Sequence, residues 1–304
     1  MNIIKYRKLY YILSGAMIAV SIYALAVWGL KLGIDFTGGS LMEVEYKNER
    51  SSNDFIKEAI KSSGVEDVII QPSGDKGAIL RFKDIDEETH QDILSKLRGD
   101  KESDYLAEKS FTSIGPTIGN EMRIKSIWAI SMVLIIIVIY IAIAFRKVSF
   151  PLVSWKYGIA TLIALFHDVI IPIGVFAALG KFYNTEIDTA FIAAILTVLG
   201  YSVHDTIIVF DRVRENLMKF PRIEFKEIVN KSLNQTFIRS LNTSLTVILV
   251  LFAIYFFGGQ SIHNFALVLL IGIGAGTYSS IFIASPILIT WLDWNRKSRG
   301  DKIN

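Results

Sequence analysis

An aspartate, Asp205, and an arginine, Arg239, each interrupt a stretch otherwise apolar enough to lie in a lipid bilayer. The first stretch reads TAFIAAILTVLGYSVHDTIIVF (Thr189 to Phe210) and the second FIRSLNTSLTVILVLFAIYFF (Phe237 to Phe257). Charges in hydrocarbon are costly, so ionisable residues there face a partner, a cavity or an ion path. The midpoint between the two falls at Pro221–Arg222, in the polar connection joining the stretches. An antiparallel helical hairpin about that connection puts both at similar depth, and the expectation is a buried, titratable ion pair. Desolvation favours a neutral carboxyl and a neighbouring guanidinium favours a charged one, so moving the arginine would switch a proton on and off the aspartate. The arginine keeps its own proton throughout. One charge crossing the whole membrane potential releases about 2.3 kcal/mol per 100 mV, enough to bias a conformational equilibrium.

Polar neighbours extend this chemistry. Thr197, Tyr201, His204 and Asp205 fall on one helical face, as do Arg239, Asn242, Thr243 and Thr246,. The two stripes are expected to meet in a common interior seam. The static alternative is a salt bridge that fixes helix packing, with interhelical hydrogen bonds worth about 0.6–2 kcal/mol each. An apolar contact can serve that purpose as well, so a functional pair is preferred. His167 and Asp168 form a second intramembrane polar pair, with Thr161 one heptad before Asp168. They read either as an extension of the relay or as hydrogen-bonding packing residues. His204 adjoins Asp205 but points about a third of a turn away, the position of a packing residue.

Other chemistries lack their residues. There is no HExxH, P-loop or GxSxG motif,. With no cysteine, thiol chemistry and cysteine metal sites are excluded,. Two His-Asp dipeptides are too few for a metal centre. The expectation is a non-enzymatic protein without a cofactor, driven by a coupling ion, H⁺ or Na⁺, or by another subunit.

The elements that must position these residues are membrane helices. The chain has 304 residues, of which 52% are hydrophobic, and its mean hydropathy is +0.43. Long apolar runs occur at Tyr10–Leu30, Ser126–Phe145, Tyr157–Leu179, Thr189–Phe210, Ser240–Phe257 and Phe265–Leu292, predicting six transmembrane helices. A cleaved signal peptide is the alternative for the first run, through Ala24-Leu25-Ala26, but the run continues to Leu30,. Lys and Arg gather at the N-terminus (Lys5, Arg7, Lys8) and in the second connection (Arg146, Lys147, Lys156). They recur in the fourth connection (Arg212, Arg214, Lys219, Arg222, Lys226, Lys231) and the tail (Arg296, Lys297, Arg299, Lys302). That bias places both termini in the cytoplasm and the long first loop outside. It also explains the basic loops without nucleic acid. Pro172 and Pro286 are expected to kink their helices, Asp188 to cap the fourth, and the stripe Gly272, Gly276, Ser280, Ala284 to mark a tight helix contact.

Residues 31–125 form the outer loop, between the first helix (1–30) and helices two to six (126–292); residues 293–304 are the cytoplasmic tail. Its pattern reads strand Leu41–Lys47, helix Ser51–Ser62, strand Val65–Gln71, strand Ala78–Phe82, helix Asp86–Leu97, strand Ala107–Thr112. Gly64, Pro72-Ser73-Gly74 and Gly99-Asp100 punctuate it,. The order βαββαβ is that of a small α+β ferredoxin-like domain.

Three segments resemble the SecD/SecF family: GIDFTGGS (Gly33 to Ser40), LTVLGYSVHDTIIVFDRVREN (Leu196 to Asn216) and RSLNTSLTVILVLFAIYFFGG (Arg239 to Gly259). The resemblance covers essentially the whole chain, and the single small outer domain is that of the smaller of the family's two subunit types. It implies an accessory subunit of the bacterial Sec protein-export machinery, of the resistance-nodulation-division (RND) type, in the plasma membrane. The implied partners are SecD, the SecYEG channel, unfolded preprotein and, as a further component, YajC. It implies use of the proton gradient, with Asp205 as the proton-carrying residue and Arg239 as its partner. The competing readings are a passive scaffold for SecD or the channel, and a small-molecule or lipid transporter of the same superfamily.

Overall fold

A computed structural model describes residues 2–99, 105–145 and 152–298 of the chain. Asp100 of the predicted break, Arg146 and Lys147 of the second connection, and Arg299 and Lys302 of the tail lie outside the described residues. The chain divides into two compact units, one of Met1–Lys31 with Trp128–Asn304 and the other of Leu32–Ile127.

The second unit is a four-stranded antiparallel sheet with strand order β2-β3-β1-β4. β1 (Gly39–Tyr46), β2 (Ile69–Ser73), β3 (Gly77–Phe82) and β4 (Leu106–Ile114) are interleaved with helices α3 (Asn53–Ser62) and α4 (Glu87–Arg98). Alternation explains the face that packs: Met42, Val44 and Tyr46 of β1 and Ala78, Leu80 and Phe82 of β3 point inward against Ile56, Ile60, Ile93, Leu94 and Leu97 of the helices,. Ser52 and Asp86 cap α3 and α4 by accepting from the N–H groups of Phe55 and Thr89,. The third predicted element is corrected in position. β2 starts at Ile69 and includes Pro72, whereas Val65–Gln71 was expected. Pro72 is tolerated because β2 is an edge strand and its missing N–H interrupts no ladder,.

A short helix unseen in the pattern, α2 (Ile34–Thr37), precedes β1 within the GIDFTGGS segment. The glycine pair after it turns the chain into the sheet with positive φ, +75° at Gly38 and +120° at Gly39. A Cβ would come within 2.8 Å of Pro116 Cα at Gly38 and within 2.8 Å of Phe82 O at Gly39. Only glycine fits both the backbone and the space.

Six helices are long and apolar enough to cross a membrane. They are a 3₁₀ turn (Ile3–Tyr6) continuing into α1 (Arg7–Trp28), then α5 (Pro116–Ala144), α6 (Ser154–Tyr183), α7 (Thr189–Lys219) and α8 (Phe225–Phe257). The sixth comprises α9 (Gln260–Ser279), a π-helical segment (Ser280–Ala284) and α10 (Ser285–Ser298). Each outruns its predicted window because the ends stay amphipathic. The first turns of α8, for instance, bury Phe225, Ile228, Val229, Ser232 and Leu233 at three- and four-residue steps,. α5 opens on Pro116, whose fixed φ suits the first turn of a helix,. α6 runs unbroken through Pro172, whereas Pro286 follows directly on the π segment, where the helical ladder is already interrupted,. Asp188 caps α7, accepting from the Phe191 N–H at 2.8 Å. In their most apolar windows the sixth span is 61% buried, α6 and α7 50% each and α5 only 6%, so the core of this unit lies among α6, α7 and the sixth span.

Candidate functional site

The connection between α7 and α8 is short, Phe220 to Glu224, and the helices it joins pack together. Asn216 locks the base of this hairpin, donating to Ser232 Oγ and Gln235 Oε1 at 2.8 Å each. Above it, Ser240 Oγ donates to Asp205 Oδ1 at 2.7 Å. One turn further along both helices, Tyr201 OH donates to Ser244 Oγ at 3.2 Å. Asp205 and Arg239 therefore lie at similar depth, both within two residues of the middle of their helices.

The expected ion pair does not form within the chain. Asp205 is buried, whereas Arg239 is exposed on α8 and has no partner among the described residues. Successive helix residues project about 100° apart; the hairpin turns Ser240 toward Asp205 and thereby points Arg239 outward. Asn242, Thr243 and Thr246 share that outward face, and the Thr243 and Thr246 hydroxyls bond back to their own helix, to Arg239 O and Thr243 O. The stripe on α7 splits as well. Tyr201 reaches Ser244, whereas Thr197 and His204 are exposed. The common polar seam is replaced by a buried hydroxyl network, with a polar strip left on the outer face of α8.

α9 supplies the rest of that network. A Cβ at Gly272 would lie 2.3 Å from Val198 Cγ2, and one at Gly276 3.0 Å from Ser202 Cβ. These glycines let α9 lie directly on α7, as a small-residue stripe permits. Four residues beyond Gly276, Ser280 Oγ donates to Asp205 Oδ2 at 2.9 Å. Its neighbour Ser279 donates to Asp168 Oδ2 at 2.7 Å. Consecutive serines at the start of a π-helical segment thus serve carboxylates on two different helices, α7 and α6. Thr277 adds a hydroxyl bond to Ser244 at 2.6 Å.

Asp168 is completely buried. Its Oδ1 lies 2.9 Å from His167 Nδ1, and its Oδ2 also accepts from Ser202 Oγ at 2.5 Å. Thr161 takes no part; its hydroxyl bonds to Tyr157 O within α6. Sequence reasoning missed the serines 202, 240, 244, 279 and 280 as ligands. A legible signal was the adjacent pair Ser279-Ser280 in the middle of the sixth apolar run, at the same depth as both aspartates.

The fold and this site define a class: a six-span α-helical membrane protein carrying one ferredoxin-like α+β domain, with carboxylates held by hydroxyls at mid-span. The family model described as "Protein export membrane protein SecD/SecF, C-terminal" matches residues 95–294, and the "SecD/SecF GG Motif" matches residues 23–49. The chain belongs to the SecD/SecF family of protein export membrane proteins. It is 43% identical over 301 residues to protein translocase subunit SecF of Thermobaculum terrenum, covering 95% of this chain and 93% of that protein. It is 38% identical over 287 residues to subunit SecF of Haemophilus influenzae, covering 93% and 83%. Among solved structures, SecDF from Thermus thermophilus, a translocon-associated membrane protein, superposes with a TM-score of 0.81 at 29% identity. The match spans 96% of this chain and 39% of that one, so the chain accounts for about two fifths of the SecDF polypeptide. A second SecDF structure, in a super-membrane-facing form, matches with a TM-score of 0.70 at 28% identity over 40% of its length.

Proposed function

We propose that this chain is an accessory subunit of the Sec protein translocase that works with SecD beside the SecYEG channel. In this reading it lies in the bacterial plasma membrane with both termini cytoplasmic and the ferredoxin-like domain outside. Unfolded preproteins are its cargo, YajC is a further component, and the proton gradient drives late export. The observation that carries the coupling is Asp205, buried at mid-span, bonded to two serine hydroxyls and to no cation among the described residues.

The geometry gives a protonation switch a physical route. An ionised carboxylate accepts from both Ser240 and Ser280, which offsets part of its desolvation,. A protonated carboxyl donates through one oxygen, so one serine must stop donating to it and turn its own proton elsewhere. Ser280 can do so without becoming an unsatisfied buried donor, because Thr277 O lies 3.1 Å from its hydroxyl,. Release of Ser280 acts on the π segment, the place where the sixth span is least regularly bonded. Arg239, exposed at the same depth, needs a partner from outside this chain, and the SecD subunit supplies that surface,.

The test replaces the subunit in its host with Asp205→Asn and measures export of a slow secretory precursor, with SecD association and membrane level measured alongside. Lost export with normal assembly is expected. Normal export would overturn the coupling role, and lost assembly would favour a passive scaffold.

A further inference from the structure

A second buried carboxylate, Asp168, is held by groups that Asp205 does not touch. His167 and Asp168 are both fully buried, and among the described residues no Lys or Arg bonds to either. Asp168 accepts from three groups: His167 Nδ1, Ser202 Oγ and Ser279 Oγ. With Asp168 ionised the carboxylate can only accept, which assigns the ring proton to Nδ1 and leaves the lone pair on Nε2. Nε2 is buried and has no hydrogen-bond partner. The His167 ring lies 5.8 Å from the Tyr278 ring, with the planes 25° apart, a distance at which an aromatic face stabilises a cation. The site thus offers a buried, unpartnered proton acceptor, a counter-charge bonded to the other nitrogen, and a ring beside it.

We propose that His167 and Asp168 form a second proton-binding site, at which Nε2 of His167 takes a proton from the aqueous phase and the Asp168 carboxylate balances the imidazolium. The proton comes from hydronium, leaving water, and the N–H···O bond to Asp168 becomes a charge-assisted one. Tyr278 links the pair to polar groups of α1. Tyr278 OH donates to Tyr10 O at 3.2 Å and receives Ser14 Oγ at 3.4 Å. From α9 the groups facing the pair are Tyr278 and Ser279. From α7 it is Ser202, with Asp205 three residues further on, and from α1 it is Tyr10 and Ser14 through Tyr278. From the π segment and α10 no ion pair or hydrogen bond reaches it among the described residues. Along α6 itself the nearest cation is Lys156, twelve residues away, or roughly 18 Å of helix.

The site is linked to Asp205 through the adjacent serines 279 and 280. Ser279, like Ser280, has a fallback acceptor, Gly276 O at 3.2 Å. Either carboxylate can therefore release its serine, and a movement of the π segment is felt at both. That linkage rests on the proposed role of Asp205; proton uptake at His167 does not.

The chain has four histidines, so each ring is assignable by single His→Gln substitution. The full chain, labelled with ¹⁵N-histidine and reconstituted in lipid nanodiscs, is followed by NMR from about pH 8 to about pH 5, the range in which histidines change charge. The Nε2 signal of His167 is expected to move from the imine-type to the pyrrole-type region, in wild type and in Asp205→Asn alike. Asp168→Asn is expected to lose the transition. A wild-type signal that stays imine-type throughout would overturn the proposal and leave the pair as a static contact, whatever Asp168→Asn does to folding. Normal export by Asp205→Asn together with a titrating His167 would sink the coupling reading while this site stood.

Discussion

Gly272 carries the closest helix contact beside the site, and filling it tests how rigidly α9 positions Ser280. An alanine Cβ there would sit 2.3 Å from Val198 Cγ2 and 2.8 Å from Cγ1, against a normal carbon separation of about 3.5–4.0 Å. Val198 is fully buried and β-branched, so its rotamer in the helix is nearly fixed and the overlap must be relieved by moving the helices,. Overpacking of this kind costs about 1–3 kcal/mol. The better helix propensity of alanine returns about 0.8–1.0 kcal/mol, so Gly272→Ala alone is expected to destabilise by about 0–2 kcal/mol. In a Val198→Ala background the two methyls are gone and only the Val198 Cβ position, 3.1 Å away, still presses on the new side chain. The remaining strain roughly offsets the propensity gain of about 0.8–1.0 kcal/mol, so Gly272→Ala becomes close to neutral. The coupling between the two positions is then the cost of the single variant, up to about 2 kcal/mol. The assay is reversible unfolding of the purified chain in mixed micelles across the four members of the cycle, with export measured in parallel. Because Gly276 and Ser280 follow on the same stripe, export should fall with Gly272→Ala and recover in the double variant. A Gly272→Ala cost that persists in the Val198→Ala background, additive within about 0.5 kcal/mol, would refute the claim that α9 and α7 meet as described.

Arg239→Gln removes an exposed charge with no partner in the described chain, so the stability of the isolated subunit should stay within about 0.5 kcal/mol,. Copurification with SecD and export should fall, and unchanged values for both would contradict an outward-facing role. Gly39→Ala forces a side chain into φ +120° and against Phe82 O, a strain of roughly 1–3 kcal/mol; protease resistance of the ferredoxin-like domain reads the loss. The Asp86 carboxyl is held below the usual carboxylate range by its capping bonds to Thr89. A depressed value means that its contribution is complete above the unfolded value, about pH 3.9, and is lost as the pH falls through the lower folded one. Amide exchange at the start of α4 should therefore accelerate only below about pH 4, and Asp86→Asn should flatten that dependence.

Much of the architecture was legible in the residues. Apolar runs marked the six spans, and alternation broken by Gly and Pro gave the βαββαβ order. The antiparallel hairpin about Pro221–Arg222 correctly set Asp205 and Arg239 at one depth. What sequence left open was azimuth: a one-residue step along α8 decides whether Ser240 or Arg239 faces Asp205, and hydropathy is blind to it. Packing decides it, through Asn216 at the hairpin base and the glycines of α9. Serine ligands were equally hard to see, since a hydroxyl in a membrane helix usually bonds to its own backbone, as Thr161 and Thr243 do. β2 was misplaced because Pro72 was read as a strand terminator, whereas its edge position makes the missing N–H harmless,.

The central claim is that the Asp205 carboxyl carries the ion that drives export. Its most direct test is ion flux in proteoliposomes holding this subunit with SecD and SecYEG, loaded with a pH indicator and engaged with a preprotein. A proton gradient should discharge faster when precursor is engaged, at the same rate in Na⁺ or K⁺, and the precursor-dependent part should vanish in Asp205→Asn. A precursor-dependent flux that persists in Asp205→Asn, or that requires Na⁺, would contradict the account.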